Sequence, residues 1–404
     1  VDAAQRLGRS AAVVARLATL WSDAAAAAGQ LGDTASALAL AIRHEGHSNR
    51  RAELLVARAR LARQDGRWRA AARFLGTARA GATGGAAIAV AIEGGFLAYD
   101  TGHPEKAQVV ARQAADAARA GRHYALLARA LGLDELVRST TGQSGWEEVG
   151  RMALAAAERS GDEVLLARVA SNVAMTLDNR GRWAEALSLY AEVEQRCRAA
   201  GQVTLAAMMV RNRATIQVEL GDVGSVLDVI GGVLRVVAAA GDREGVAIAE
   251  ALRARSLART AAPARALEPI LAAVASLPRR DSEVAVFART GLAEVLLLAN
   301  RNSEALELLE ELEATVDQFG EDHLLPLTVR RLRAVALSRC GDRAGAASLL
   351  RAAHARAVAG AVLAEQCFVH WTAASLGVSD QLGLDAAELA SVERTLGVVS
   401  AIRW

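Results

Sequence analysis

Two short pairs of metal-capable side chains come first. His44 and His47, in the stretch His44-Glu45-Gly46-His47, stand three apart and would share one face of a helix extending that far. Zinc chemistry of the HExxH kind needs two residues between the glutamate and the second histidine, and a third ligand. Neither condition is met, so these read as surface histidines. Cys367 and His370 repeat the i,i+3 spacing with no further pair in the vicinity, which reads as a half-buried thiol and a rim imidazole. A phosphate loop requires Gly-Lys-Ser/Thr, but Lys106, the only lysine, lies between Glu105 and Ala107. Gly81-Ala82-Thr83-Gly84-Gly85 has glycines without a preceding strand, the pattern of an inter-repeat loop. No catalytic, metal-binding or cofactor-binding residue is assigned, and the chain is expected not to be an enzyme.

Arginine offers more. Arg58, Arg60, Arg63, Arg67, Arg69 and Arg73 cluster in one stretch, Arg253, Arg255 and Arg259 in a second, and Arg330, Arg331, Arg333 and Arg339 in a third. Such clusters are either solubilising surface or a guanidinium-lined groove for an acidic peptide or a partner domain. The acidic run Glu304, Glu307, Glu310, Glu311 and Glu313 has the spacing of a solvated helix face. Aromatic residues make up only 3% of the chain, so stacking platforms for nucleic-acid bases are lacking.

What positions these groups is a repeat. GRWAEALSLY at 181–190 echoes GRWRAAARFL at 66–75. Aligned on Ala186, the same slot recurs at Ala37, Ala71, Ala107, Val149, Ala186, Val226, Ala266, Ala305 and Ala346, with spacings of 34 to 42 residues. Five residues before the slot stand Gly32, Gly66, Gly102, Gly181, Gly221 and Gly341, with Ser144, Ala261 and Asn300 in the remaining units. With 34 glycines among 404 residues, chance would place about one glycine in such a column. Twelve before the slot runs a second small column: Ala25, Ala59, Gly95, Val137, Ala174, Ala214, Ala254, Ala293 and Ala334. The reading is helix, glycine turn, helix, with small residues where the two axes cross closely. Four residues beyond the slot, Ala41, Leu75, Ala111, Ala153, Tyr190, Ile230, Ile270, Leu309 and Leu350 continue the apolar face. Trp68 and Trp183 are expected to open second helices and cap the hairpin core. The stretch 139–146, STTGQSGW, falls in the longest spacing and predicts a longer loop or a change of curvature there.

Composition agrees. Hydrophobic residues reach 52% but are Ala, Leu and Val, and prolines number five, so the chain is helix material. Lys+Arg 47 against Asp+Glu 45 leaves a net charge of +2, which disfavours nucleic acid and anionic membrane as partners. Cys197, Cys340 and Cys367 are odd in number and widely spaced, which fits a reducing cytoplasm better than a disulfide framework. The longest apolar stretch, Ala86 to Tyr99, is broken by Glu93 and Gly94–Gly95. A chain that begins at Val1 reads as part of something longer, or as trimmed.

The pattern resembles the tetratricopeptide repeat, whose Trp, Leu-Gly, Tyr and Ala positions recur every 34 residues; Trp21 takes the early tryptophan position of the first unit. The longer units here are similar to superhelical regions of large bacterial signalling proteins, namely LuxR-type ATP-binding regulators, the maltotriose-responsive regulator and actinobacterial multidomain nucleotide cyclases. For the cyclases the likeness extends to RCGDRAGAASLLRAAHARA, residues 339–357, and to Leu396–Ser400. The resemblance implies an all-α, right-handed solenoid of about nine hairpins over residues 1–353, with capping helices over 354–404. It also implies a protein or peptide partner, domains of a parent polypeptide included, held in the concave groove. The alternative is a small-molecule inducer-sensing arm of an ATP-dependent transcription regulator. In a tetratricopeptide unit the positions eleven, fourteen, fifteen and eighteen before the slot face the groove. Here these are Arg168, Ser171, Asn172 and Met175, then Met208, Arg211, Asn212 and Thr215, and Arg255 from the next unit. Asn172 and Asn212 share a repeat position at which peptide-binding members similarly use Asn. The same Asn is equally able to serve as an inter-repeat contact, and the equivalent residue in the next unit is Leu252.

Overall fold

The computed structural model describes residues 11–27, 31–260, 263–277, 281–316, 324–359 and 362–383, with 387, 390 and 393 besides. Among the described residues the regular structure is helical throughout, and no strand occurs. First helices of the hairpins are α1 (Ala11–Ala27), α3 (Ser48–Gln64), α5 (Gly84–Asp100), α7 (Tyr124–Thr140), α9 (Glu163–Asn179), α11 (Val203–Glu219), α13 (Arg243–Arg259), α15 (Glu283–Leu298) and α17 (Leu324–Arg339). Second helices are α2 (Leu31–His44), α4 (Trp68–Arg79), α6 (Pro104–Ala120), α8 (Trp146–Ser160), α10 (Trp183–Ala199), α12 (Val223–Ala239), α14 (Pro263–Ala275), α16 (Asn302–Val316) and α18 (Arg343–Ala359). Two helices follow, α19 (Leu363–Leu376) and the short α20 (Ser379–Leu382).

Every slot from Ala37 to Ala346 lies in a second helix and is buried, as are the residues four beyond them. The facing column is buried at Ala59, Ala174, Ala214, Ala254, Ala293 and Ala334. Gly95 shows why small residues stand there: a Cβ on it would lie 2.6 Å from Leu133 Cδ2 and 3.2 Å from Val110 Cγ1. The turns are built as the glycine column requires. Gly66, Gly102, Gly181, Gly221 and Gly341 have positive φ, and where the column carries Asn300 that residue takes φ 59° itself. Helix starts are fixed by side-chain caps, with the carboxylates of Asp242 and Asp342 accepting from the amides of Gly245 and Gly345 at 2.8 Å each. The stretch 139–146 gives a five-residue loop, 141–145, between α7 and α8, and residues 80–83 join α4 to α5.

The chain divides into two compact units, Val1–Val173 and Ala174–Trp404, the boundary falling inside α9. In the first unit alanine-rich cores run from hairpin to hairpin, around Leu55, Leu75 and Val90 and then around Ile92, Leu131 and Val169. In the second, Val210, Ile230 and Leu252 form one core, and Ile270, Leu297, Leu309 and Leu332 a larger one. Helix α19 departs from the amphipathic pattern: Ala364 through Ala373 are buried on every face. The predicted terminal helix Ala386–Leu396 lies outside the described residues apart from 387, 390 and 393.

Candidate functional site

Of the expected groove residues, Arg168, Asn172 and Met175 make an exposed stripe along α9, at spacings of four and three, between the buried Val169, Ala170, Val173 and Ala174. On α11 the side chains of Met208, Arg211, Asn212 and Thr215 are half-buried. Asn212 is engaged within the chain: it hydrogen-bonds the Tyr190 hydroxyl of α10, and its Oδ1 accepts from Arg211 Nη2 at 3.4 Å. Thr215 Oγ1 donates to the Arg211 carbonyl at 3.2 Å. Arg211 lies within electrostatic reach of Asp242 and Glu244 on the following hairpin. Arg255 is only 5% exposed, with Nη2 donating to Glu219 at 2.6 Å and Nε to Glu294 at 2.7 Å.

Arg255 belongs to a network across the first helices of the second unit. Arg259 Nε donates to Glu294 Oε1 at 2.8 Å and its Nη1 to the Val218 carbonyl at 2.5 Å. Against the upward push of burial, Arg255 and Arg259 hold the Glu294 carboxyl at about 2. Further along, Arg331 Nε donates to Glu365 at 2.9 Å, and its guanidinium lies 5.1 Å from the Phe368 ring. Burial pushes the Glu365 carboxyl up, with Arg331 opposing. Phe368 stacks on Trp183 at 5.9 Å, which brings α19 back onto the start of α10, and packs on Trp371 at 5.7 Å. Trp183 Nε1 donates to Asp178 at 3.0 Å, and burial with the charge of Glu219 raises Asp178 to about 7. In this part of the second unit, ion pairs join neighbouring first helices and an aromatic cluster joins α10 to α19.

The first unit is built differently. Glu93 of α5, fully buried, accepts from Arg60 Nε at 3.3 Å, Arg63 Nε at 2.9 Å and Arg129 Nη2 at 3.0 Å. Arg63 also reaches Asp100 at 2.5 Å and lies 5.1 Å from the Phe96 ring. Burial first, then Arg60, lowers Arg129 to about 10. Beside these groups opens a cavity of about 400 Å³ between α3, α5 and α7, with Arg60 and Arg129 on its wall and Val56, Ala57, Ala89 and Leu126 as an apolar floor.

The other sequence candidates resolve simply. His44 ends α2 and His47 precedes α3, so the pair does not share a helix. No cluster of three or more metal-capable side chains occurs among the described residues. Cys367 and His370 are not half-buried and rim groups: both are buried on α19, where burial pushes the thiol up to about 12 and His370 packs edge-on against His354 at 5.0 Å. The acidic face of α16 is partly paired, Glu311 with Arg289, and Glu310 and Glu313 with Arg333. Trp183 is buried as a core cap, whereas Trp68 is 39% exposed. Sequence reading missed Glu93 and the Glu219–Arg255–Glu294 chain. The signal available was a charged residue inside an otherwise apolar first helix. No helix among the described residues is long and apolar enough to cross a membrane.

The repeat, the glycine turns and the buried small columns define an all-α solenoid of tetratricopeptide type. No family model matches the sequence, and no curated protein matches it. Among solved structures the chain is similar to a Rap protein in complex with competence and sporulation factor, at 12% identity and TM-score 0.46 over 96% of this chain and 98% of that one. It is similar also to the TPR domain of P58(IPK), at 15% identity and TM-score 0.27 over 81% and 99% of the two chains. A third is the Cut9–Hcn1 hetero-tetramer of the APC/C, at 13% identity and TM-score 0.35 over 95% and 89%. The fold assignment rests on the chain's own hairpin geometry.

Proposed function

We propose that the protein is a non-enzymatic interaction module that holds a peptide or a partner domain on the concave faces of its first helices. We further infer that it works in the cytoplasm as the regulatory part of a larger signalling protein. The observation that carries the reading is the stripe Arg168, Asn172 and Met175 on α9. Two polar side chains and a flexible thioether stand exposed on a first helix whose neighbouring Val169, Ala170, Val173 and Ala174 are consumed by packing. A surface that contributes little to folding yet mixes hydrogen-bonding and adaptable apolar groups suits a bound peptide backbone. The three cysteines are free thiols, with Cys340 exposed, as a reducing compartment permits.

The test is selection of a displayed random-peptide library on the purified chain, followed by titration of the enriched sequences. Enriched peptides should bind the wild type and lose affinity by at least about tenfold, roughly 1.4 kcal/mol, with Arg168→Ala plus Asn172→Ala. The melting temperature should stay unchanged, because both side chains are exposed. No enrichment, or equal binding to the double variant, would sink the reading.

A further inference from the structure

The cavity of the first unit carries a charge that its own side chains do not balance. Three guanidiniums, those of Arg60, Arg63 and Arg129, gather from two first helices, α3 supplying two and α7 one, around Glu93 of α5. The carboxylates that answer them are Glu93 and Asp100. Glu53, on the cavity rim, is exposed and already paired with Arg50 at 3.0 Å. Arg60 uses Nε on Glu93 and Arg129 one Nη, so both forks keep further N–H groups toward the cavity they line. Arg168 of α9, exposed, lies within electrostatic reach of Arg60; desolvation and then Arg60 lower its pKa, with Asp162 opposing. The rest of the lining is the apolar Val56, Ala57, Ala89 and Leu126 together with Gly85 and His123.

We propose that this cavity receives an acidic peptide segment: a side-chain or terminal carboxylate between Arg60 and Arg129, and an adjoining aliphatic side chain against Val56, Ala89 and Leu126. The proposal rests on the interaction-module reading and gives its partner a chemistry and an address. Guanidinium forks match carboxylates in bidentate geometry, and a concave, partly desolvated setting strengthens that pairing. The excess of positive charge makes the bound carboxylate a missing counter-ion, so its arrival relieves repulsion as well as adding contacts. Charge complementarity selects this occupant over a neutral or basic segment. The lining holds no Phe, Tyr or Trp, and its single ring, His123, provides no platform for stacking successive bases.

The experiment uses the full chain and three labelled peptides of equal length and leucine content, rich in Glu, Gln or Lys, read by fluorescence anisotropy. The Glu peptide should bind at least about tenfold tighter than the Gln peptide at low salt, with the Lys peptide weakest and the preference shrinking as ionic strength rises. Arg60→Gln should erase the preference, and Arg168→Glu, an exposed change that should leave the melting temperature intact, should weaken it by placing a negative charge within electrostatic reach of Arg60. Equal binding of the Glu and Gln peptides, or a preference that survives both variants, overturns the proposal. In that case peptides enriched from the library still report on the broader reading through Asn172. Free glutarate supplies the last arm. If it displaces the Glu peptide at matched carboxylate concentration, the site takes a small dicarboxylate and the peptide assignment is wrong; if it does not, the peptide is the ligand.

Discussion

Arg60 and Arg255 occupy the same place in the repeat, eleven residues before the slots Ala71 and Ala266, yet the two units use them in opposite ways. In the second unit Arg255 is sealed between Glu219 and Glu294, and Arg331 between Glu365 and Phe368, so each cation has its anion. In the first unit Arg60 shares the single carboxylate of Glu93 with Arg63 and Arg129 and borders an open cavity. A repeat position therefore sets where a guanidinium points, and the carboxylates on neighbouring first helices decide whether it becomes structure or a site.

The largest expected effect separates these roles directly. Glu294→Gln strips Arg255 and Arg259 of their shared partner in a nearly dry setting and should cost about 3–5 kcal/mol in denaturant titration. Glu93→Gln should cost clearly less, because Arg60, Arg63 and Arg129 keep side-chain exposures of 30%, 16% and 19% and can turn toward water. Equal losses would erase the distinction between a sealed network and an open one. Next in size, Ala186→Leu should overpack the crossing of α9 and α10 by about 1–3 kcal/mol, whereas Glu307→Ala on the exposed face of α16 should change stability by a few tenths, about 0.5 kcal/mol at most. Identical effects in the same titration would refute the column assignment.

A smaller effect comes from Asp178, whose folded carboxyl is raised to about 7 by burial and then by Glu219. Between an ordinary value of about 4 and that figure, the unfolded chain releases this proton while the folded chain keeps it. Stability should accordingly fall as pH rises through that window and level off above it. Asp178→Asn should flatten the decline and stabilise the protein at neutral pH by on the order of 1 kcal/mol, read by thermal melts across pH. A steeper decline in the variant would show that another group governs the second unit.

The hairpins were legible because they depend on local rules. A positive-φ turn needs glycine or asparagine, and a close crossing needs a small side chain, so Gly181 with Ala174 and Ala186 announce their roles in sequence. A second glycine signal was equally available: Gly161, Gly181, Gly201, Gly221 and Gly241 stand twenty apart, and all have positive φ, marking both ends of successive helices. The ionic networks were not legible, since a carboxylate such as Glu93 or Glu294 finds its arginines 30 to 39 residues away, on adjacent first helices. Whether Asn212 faced a groove or a neighbour depended in the same way on Tyr190, a residue of a different helix.

Alanine at the helix crossings carries one further consequence, in the currency of side-chain entropy. Residues such as Ala59, Ala186, Ala214, Ala305 and Ala346 are fully buried, yet none has a rotamer to lose on folding. Each contributes less apolar area than leucine would, and each is ordered at the cost of its backbone alone. A core of this kind orders its seams without having to sort side-chain conformers at every hairpin junction.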